Sequence, residues 1–290
     1  MKSRFRKSLK IFYERLKVPK HLIRFTLHLF GLYKRGLRNA HNIQFEHYDI
    51  SFANLPPAFD GYTLLMMSDL HIDSELHIIP KMKQLLAEAP ADVLLLLGDY
   101  RYRLTGSYDL VLKRIHDILQ VAHTRDGIYA VRGNHDPPEL MLHISELGVR
   151  LLNNESVRLC KGEDCIYIIG VDEPHYDKAD DLPKATQHVP ADVFKILLAH
   201  TAEIYRQAAH LGIGFYLCGH THGGQIRLKK IGPIITNVKA PRRFVKGFWT
   251  YRGMTGYTSA GVGTSAVPVR YNCPPEIVLF TLKKGKNATH

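Results

Sequence analysis

The sequence predicts an α/β fold in which two mixed β-sheets pack face to face and carry helices on their outer faces. Three observations support this prediction: short apolar runs typical of buried strands, helical segments between the early runs, and a second half rich in short strands. The chain has 290 residues, and such a fold uses about 200–250 residues in one unit. Its apolar content of 45% supplies a full core.

The predicted elements follow one another in chain order. Apolar or alternating runs predict strands at 43–52, 62–67, 93–97, 126–131, 194–198 and 215–218. Helical patterns predict helices at 79–88, 108–123 and 202–211. The early order of strand, helix and strand, followed by a strand-rich half, suits a two-sheet sandwich with helices outside.

Side chains that can bind metals follow these strands in five short segments. The segments are Ser68-Asp69-Leu70-His71, Gly98-Asp99, Gly133-Asn134-His135-Asp136, Ala199-His200 and Gly219-His220-Thr221-His222. An Asp or His after a strand often only caps a turn. Five such segments in one chain instead favour a single site built from several strand ends.

The residue types in these segments suit divalent transition metals. Neutral imidazole nitrogens and carboxylate oxygens bind manganese, iron or zinc, and the near absence of thiols argues against a structural zinc site. Two metals about 3.5–4 Å apart need a bridging carboxylate, and Asp99 stands between two sets of ligands in the sequence. We therefore predict a centre of two divalent metal ions, with manganese favoured and iron or zinc as alternatives.

The ordered motifs D-x-H, G-D, G-N-H-D, H and G-H-x-H resemble those of the calcineurin-like metallophosphoesterases over residues 60–282. The resemblance implies the four-layer sandwich of that family, with two mixed sheets between helices. It assigns one metal to Asp69, His71, Asp99 and His222, and a second to Asp99, Asn134, His200 and His220. His135 stands where the family keeps a catalytic histidine that stabilises the transition state or protonates the leaving oxygen.

Two arginines are candidates for binding the substrate phosphate. Arg103 falls where serine/threonine phosphatases of the superfamily keep a phosphate-binding arginine, and Arg101 is a second candidate. Either could instead be a solvated loop residue. Those phosphatases also carry an aspartate at the position of Tyr102, which pairs with the histidine corresponding to His135. Here His135 must be oriented in another way, and Asp136 is one candidate.

Further segments are similar to the YkuE-like branch of the family. They are 55–61, 220–225, 261–270 and 273–277. This branch includes membrane-associated phosphodiesterases and LpxG-type pyrophosphatases, which cleave UDP-2,3-diacylglucosamine in lipid A biosynthesis. The resemblance implies hydrolysis of a phosphodiester or pyrophosphate bond in a lipid-linked small molecule. A soluble phosphodiesterase or nuclease is one alternative, and a scaffold protein of the same fold is another, although every ligand position is filled.

The positive charge of the chain is concentrated at its N-terminus. Residues 1–40 contain twelve Lys or Arg and one acidic residue, Glu14, so they carry +11 of the net charge of +12. The remaining residues carry only +1. We therefore divide the chain into a basic amphipathic arm at 1–40 and a catalytic domain at 41–290.

The amphipathic pattern of the arm suggests a membrane surface as its partner. Pro19 separates two predicted helices, and the second has a basic strip beside a broad apolar face. Its charges interrupt it too often for a membrane span, so residues 1–38 are predicted to bind an anionic membrane surface. Docking on the protein's own core or on a partner is the alternative. Nucleic acid is an unsuitable partner for so many apolar residues.

The N-terminus and the four cysteines indicate a cytoplasmic location. A secretion signal fits poorly because no uninterrupted apolar stretch ends in a small-residue cleavage site. Cys160 and Cys165 flank a hairpin-like turn and could form a cross-strand disulfide, which a reducing cytosol would usually keep open. Together with the arm, this predicts a peripheral enzyme on the inner face of the cell membrane.

Overall fold

The computed structural model describes residues 20–74, 76–233 and 236–286, and within 20–29 it describes side chains from Leu22 onward. Two six-stranded mixed sheets dominate these residues and confirm the predicted fold class. The first sheet contains, in spatial order, β1 (Gln44–Phe52), β14 (Glu276–Lys284), β2 (Thr63–Met67), β3 (Val93–Leu96), β4 (Ile128–Ala130) and β5 (Arg150–Leu151). Strands β2 to β5 are parallel, and β14 runs antiparallel to β2.

The second sheet has a similar parallel centre. It contains, in spatial order, β12 (Gly247–Tyr251), β13 (Met254–Thr258), β9 (Phe215–Cys218), β8 (Phe194–Leu198), β7 (Asp164–Gly170) and β6 (Glu155–Lys161). The four central strands are parallel, and the two edge strands are antiparallel to their neighbours. A separate hairpin pairs β10 (Arg227–Leu228) with β11 (Gly232–Pro233).

Seven α-helices accompany the sheets in the described residues. They are α1 (Lys20–Leu29), α2 (Tyr33–His41), α3 (Ile79–Ala87), α4 (Asp109–Leu119), α5 (Pro138–Glu146), α6 (Leu182–Thr186) and α7 (Tyr205–His210). The predicted helices at 79–88, 108–123 and 202–211 correspond to α3, α4 and α7. Helices α5 and α6 lack a counterpart in the sequence prediction. Both begin at or next to a proline, which suits the first turn of a helix.

Alternating side chains of the central strands create the layers. In β2, Leu64 and Met66 pack between the two sheets, whereas Leu65 and Met67 join a cluster formed with α3, α4 and α5. In β8, Leu197 belongs to a third cluster, which packs α6 and α7 on the second sheet. Because strand side chains alternate between faces, each central strand contributes to two clusters. The result is a helix, sheet, sheet, helix sandwich.

The predicted long helix of the arm is divided in the structure. Helix α1 ends in a Schellman motif, in which the N–H of Gly31 donates to His28 at 3.0 Å and the N–H of Leu32 donates to Leu27 at 2.8 Å. Gly31 adopts φ +65°, which glycine tolerates well. Helix α2 then starts at Tyr33. The first helix predicted for the arm lies outside the described residues.

Helix α2 packs directly on the catalytic domain. A Cβ atom on Gly36 would lie 2.7 Å from Val269 Cβ and from Tyr271 Cε2, so the backbones approach closely. The N–H of Arg270 donates to the Gly36 carbonyl at 3.0 Å, and Ala40 is fully buried. Residues 33–41, at the end of the arm, are therefore docked on the protein's own core, which was the alternative to membrane binding.

The structure also pairs two of the four cysteines. Cys160 and Cys165 lie opposite each other in the β6–β7 hairpin, with Cα atoms 4.2 Å apart, and form a disulfide. The turn between them made such a disulfide geometrically possible, and the hairpin register places the two residues directly opposite each other. Cys218 and Cys273 are free and buried.

Candidate metal centre

The metal-ligand candidates meet at the carboxyl ends of strands from both sheets. Asp69 and His71 follow β2, Asp99 follows β3, Asn134 follows β4, His200 follows β8, and His220 and His222 follow β9. All except Asn134 are buried. The structure thus brings the five sequence segments together at one edge of the sandwich, where the two sheets face each other.

One group of ligand atoms comes from Asp69, His71 and His222. Their candidate ligand atoms all lie within 4.8 Å of one another. Nε2 of His71 is 3.2 Å from Nε2 of His222, and Nε2 of His222 is 3.5 Å from Oδ1 of Asp69. These three residues belong to the first ligand set expected from the sequence, whose fourth member is Asp99.

A second group comes from Asp99, His200 and His220. Nε2 of His200 lies 3.4 Å from Oδ1 of Asp99 and 3.2 Å from Nδ1 of His220. Oδ1 of Asn134 is 3.0 Å from the same His200 nitrogen. The other carboxylate oxygen of Asp99, Oδ2, is 3.6 Å from Nε2 of His71 in the first group. Asp99 therefore faces both groups, one oxygen to each, as a bridging ligand requires.

The hydrogen bonds of the imidazole rings leave lone pairs directed into the centre. Nδ1–H of His71 donates to the Arg101 carbonyl at 2.9 Å, so its Nε2 is unprotonated when the ring is neutral. Nε2–H of His220 donates to the Asn237 carbonyl at 2.7 Å, which leaves Nδ1 unprotonated. Oδ1 of Asp69 is buried without any hydrogen-bond partner in the described residues. Converging lone pairs and an orphan carboxylate oxygen fit divalent cations.

Burial keeps three of the histidines in the form that binds metals. It lowers the pKa of His71 to about 4 and that of His220 to about 3, and it holds the pKa of His222 well below its ordinary value. All three rings are therefore neutral at pH 7, and neutral imidazole is the ligand form.

The carboxylates and His200 balance charge differently. Burial raises the pKa of Asp69 to about 6. Burial also opposes ionisation of Asp99, but the positive charge of His200 holds the Asp99 pKa well below its usual range. Conversely, burial alone would lower the pKa of His200, and the Asp99 carboxylate raises it to about 10. A proton on His200 thus provides the positive charge that a divalent cation would replace.

Five of the ligand residues have an unusual backbone conformation. Their φ angles lie in the left-handed region, at +53° for Asp69, +41° for His71, +57° for Asp99, +68° for His220 and +50° for His222. This conformation is costly for residues with a Cβ and persists where the surrounding fold imposes it. Its concentration at one strand edge marks a functional centre.

Glycines in the motifs allow the ligand turns to approach one another. A Cβ atom on Gly219 would lie 1.8 Å from Oγ of Ser68 and 2.5 Å from Oδ2 of Asp69. A Cβ atom on Gly133 would lie 2.2 Å from the main-chain nitrogen of Asp99. Both positions therefore require glycine for steric reasons, which explains why glycine precedes these ligands.

Asp136 holds the Asp99 turn and does not orient His135. Its carboxylate accepts hydrogen bonds from the main-chain N–H of Asp99 at 2.6 Å, Tyr100 at 2.9 Å and Gly133 at 3.0 Å. The proposed pairing of Asp136 with His135 is therefore wrong, because these backbone donors occupy the carboxylate.

The two arginines that were candidates for phosphate binding differ in exposure. The Arg101 side chain is buried, donates from Nη2 to the Thr105 carbonyl at 2.9 Å and lies over the Tyr108 ring with 5.0 Å between Cζ and the ring centroid. Arg103 is exposed, and its main-chain N–H donates to Asp73. Arg103 is thus the better placed of the two to contact a substrate.

Several contacts in the centre involve residues outside the five sequence motifs. The carbonyls of Tyr102 and Asn237 fix the rings of His135 and His220. Beside His220, Nδ1 of the buried His175 lies 2.5 Å from Oε1 of Glu203, and the rings of His175 and His220 are 4.7 Å apart. Main-chain carbonyls leave no signature in a sequence, and His175 belongs to no motif with known ligand spacing.

The fold and this centre define a metal-dependent phosphoesterase. The calcineurin-like phosphoesterase superfamily domain matches residues 63–238, more than half of the chain, and the chain belongs to this family. The family uses a dimetal centre, to which the two ligand groups around Asp99 correspond. The prediction of a hydrolase that acts on phosphoric esters is therefore confirmed.

Three bacterial proteins illustrate the relationship. The metallophosphoesterase YkoQ of Bacillus subtilis is 27% identical over 259 residues, covering 87% of this chain and 94% of YkoQ. YkuE of the same organism is 24% identical over 84% of this chain and 86% of its own length. The phosphodiesterase YaeI of Escherichia coli is 26% identical over 76% of this chain and 82% of its own length. The resemblance to the YkuE-like branch is thus confirmed.

Proposed function

We propose that this enzyme hydrolyses a phosphodiester or pyrophosphate bond in a lipid-linked molecule at a membrane surface. The bridging position of Asp99 between two ligand groups carries the hydrolytic part of the proposal. The similarity to the phosphodiesterase YaeI supports a diester or pyrophosphate over a monoester. UDP-2,3-diacylglucosamine, which contains a pyrophosphate and two acyl chains, is the first compound to test.

The ligand groups would hold two divalent cations. Asp69, His71, Asp99 and His222 would bind one cation, and Asp99, Asn134, His200 and His220 would bind the other. Bound there, the cations would supply Lewis acidity and lower the pKa of a water toward neutrality. Manganese is our first choice because carboxylate and amide oxygens accompany the imidazoles, and iron or zinc would fit the same donors.

His135 is suited to proton transfer at the leaving oxygen. Its side chain is half-buried, Nδ1–H donates to the Tyr102 carbonyl, and its main-chain N–H donates to Oδ1 of Asp99 at 2.9 Å. These bonds fix the ring and leave Nε2 for the substrate. With a second proton on Nε2, as imidazolium, His135 would donate a hydrogen bond or a proton to the leaving oxygen as the bond to phosphorus breaks, while Arg103 would pair with a phosphate oxygen.

The exposed face of α1 supports the membrane part of the proposal. Leu22, Phe25, Leu29 and Phe30 are between 52% and 69% exposed on this short helix and the turn after it. In the described residues, each helix is too short or too polar to traverse a bilayer. An amphipathic helix with exposed large apolar side chains would lie in the interfacial region. We infer that the arm, residues 1–38, holds the enzyme on the anionic inner face of the cell membrane.

The experiment that tests this function is a comparison of substrates with metal-loaded protein. UDP-2,3-diacylglucosamine, a bis-aryl phosphate, cyclic nucleotides and single-stranded DNA would be compared as substrates, with the Asp99→Asn variant as the control for contaminating hydrolases. We expect the diacylated pyrophosphate to have the highest kcat/KM. Preferential cleavage of DNA or cyclic nucleotides would overturn the proposal of a lipid-linked substrate and indicate a soluble one.

A further inference from the structure

A second basic region lies within the catalytic domain, although residues 41–290 carry only +1 in total. Residues 204–275 contain ten Lys or Arg and no Asp or Glu. The rest of the catalytic domain must therefore carry the compensating negative charge. The basic region includes the ligands His220 and His222 and the β10–β11 hairpin.

Most cations of this region are engaged within the fold. Arg270 is buried and donates to main-chain carbonyls, including that of Ala260 at 2.8 Å. Nζ of Lys246 lies 3.4 Å from Oε2 of Glu276, and Nζ of Lys239 lies 3.7 Å from Oε2 of Glu203. Each of these cations already has a partner within the fold.

The tip of the β10–β11 hairpin differs from the rest of the basic region. Lys229 and Lys230 are exposed, and no ion pair involves either of them in the described part of the chain. The apolar residues that flank them are also exposed, with Leu228 at 47% and Ile231 at 72%. Ile231 is the most exposed large apolar side chain among the described residues. A protein that stays in water gains nothing by presenting such a side chain, although single exposed residues do occur.

The hairpin is directly connected to the metal centre. The 3-10 turn His222–Gly224 contains the ligand His222, and Nη1 of Arg227 donates to the Gly223 carbonyl of this turn at 2.8 Å. The main-chain N–H of Arg227 donates to the Tyr271 carbonyl at 2.9 Å. The base of the hairpin is thus held between the ligand turn and the segment on which α2 docks.

The hairpin is also a neighbour of α1. Ile226, which precedes β10, packs against the cluster of Tyr33, Val267 and Val269, and so do Ile23 and Leu27 of α1. The inner side of α1 and the base of the hairpin therefore share one apolar cluster. The exposed apolar residues of α1 and of the hairpin lie outside this cluster.

We infer that the β10–β11 hairpin is a membrane contact of the catalytic domain. Leu228 and Ile231 would enter the interfacial region, while Lys229 and Lys230 would pair with anionic headgroups. This combination of aliphatic and cationic side chains suits a bilayer surface, where each type has a partner. A nucleic acid would leave the aliphatic residues without a partner. The inference rests on the membrane part of the proposed function and adds a contact next to His222, outside the arm.

Vesicle binding by the full-length chain tests this inference. The variants are Ile231→Ser and the double substitution Lys229→Ser with Lys230→Ser, and the vesicles contain phosphatidylcholine with or without phosphatidylglycerol. Each lysine contributes about a fivefold change near an anionic surface, so the double variant should bind anionic vesicles about 25-fold more weakly at low salt. Ile231→Ser should weaken binding several-fold with little dependence on salt. Unchanged binding of both variants would overturn the inference.

Matched control variants show whether an effect on vesicle binding is specific to the hairpin or arises from removing any exposed apolar or cationic side chain. Leu142→Ser on α5 removes a side chain that is 61% exposed, and Lys113→Ser removes an exposed cation on α4. Neither control should change vesicle binding. A dye sensitive to its environment, attached to the Ile231→Cys variant, should shift its emission to the blue on anionic vesicles. An unshifted emission would count against insertion even if the serine variants were poorly folded.

Activity and other ligands distinguish the remaining outcomes. Both hairpin variants should keep the turnover of a bis-aryl phosphate in solution. If they lose affinity for single-stranded DNA but not for vesicles, the hairpin binds nucleic acid and the membrane assignment falls. If the wild-type enzyme fails to cleave every lipid-linked compound while the variants still lose vesicle binding, the proposed substrate is wrong and the hairpin contact stands.

Discussion

The main-chain carbonyl of Tyr102 lies 3.1 Å from Nδ1 of His135 and accepts a hydrogen bond from Nδ1–H. A carbonyl can only accept, so the bond fixes the orientation of the ring and keeps a proton on Nδ1, and the ring acts as a general acid when Nε2 is protonated as well. The serine/threonine phosphatases that the sequence resembles use a carboxylate for this purpose. Here the side chain at the same position is the Tyr102 phenol, and the backbone of that residue takes over the role.

Replacing His135 should separate catalysis from metal binding. We expect His135→Ala to bind both metals and to lower kcat by about 10²–10⁴, the usual contribution of a general acid or base. A substrate whose leaving group has a low pKa should be affected less, because it needs little protonation. His143→Ala, which removes an exposed histidine on α5, should behave like the wild type. Loss of metal from His135→Ala would place His135 among the ligands.

Removing the bridging carboxylate should affect both metal sites together. Asp99→Ala is expected to abolish activity and to lower the bound metal well below two per chain, because Oδ1 and Oδ2 of Asp99 face different ligand groups. Metal content by mass spectrometry and turnover of a bis-aryl phosphate would be measured in parallel. Asp117→Ala, on the surface of α4, is the control. Normal turnover with two metals would refute the dimetal assignment.

A single methyl group at Gly219 should disrupt the centre. Gly219→Ala places a Cβ atom 1.8 Å from Oγ of Ser68, and relieving such a contact costs about 1–3 kcal/mol. We expect a lower midpoint of thermal unfolding and weaker metal binding, since Oγ of Ser68 donates a hydrogen bond to Oδ2 of Asp69. In Gly285→Ala the nearest atoms are 3.7 Å away, so this variant should be unaffected. Equal stability and metal content in the two variants would contradict the steric argument.

A deletion that tests the arm should leave the docked helix α2 in place. Removing residues 1–30 eliminates nine of the twelve N-terminal Lys or Arg and all of α1 but keeps α2. We expect weaker binding to anionic vesicles and unchanged hydrolysis of a soluble phosphodiester. High salt should weaken the binding of the full-length protein without abolishing it, because basic residues contribute about 1 kcal/mol each and apolar burial is insensitive to salt. Equal binding of both forms would exclude the arm as an anchor.

A longer deletion provides the contrast for this experiment. Removing residues 1–41 also takes away Tyr33 and Ala40, both of which are buried. This protein should unfold at a lower temperature than the one that lacks residues 1–30. The difference between the two deletions measures what α2 contributes to the fold, independently of any membrane.

The layers and the ligand positions could be predicted because they rest on local patterns. An apolar run, as in 93–97 and 194–198, predicts a buried strand, and the polar residue after the run then lies at the edge of the sheet. Asp99 and His200 were identified in this way. When neighbouring strands are parallel, their carboxyl ends lie at the same edge of the sheet. The residues that follow those strands therefore lie close together.

Other features depend on contacts that a sequence does not display. The role of Asp136 depends on main-chain N–H groups of residues 99–101 and of Gly133, and that of Asn237 depends on its carbonyl, so neither follows from residue type. Burial of Arg101 depends on its stacking over Tyr108. The end of α1 at Gly31 has a local signal, since glycine favours the left-handed φ of a helix C-terminus, whereas the docking of α2 depends on its tertiary contacts with Val269 and Tyr271.

The docking of α2 has a consequence for how the enzyme would meet its substrate. A flexible linker lets a catalytic domain swing and sample many heights above the surface to which it is attached. Here the chain from Tyr33 onward belongs to the folded body, through contacts such as that of Gly36 with Val269. On any surface to which α1 adheres, the metal centre would keep one height and one tilt. Encounters with substrate would then depend on lateral diffusion of the whole protein, and a bond far from that height would stay out of reach.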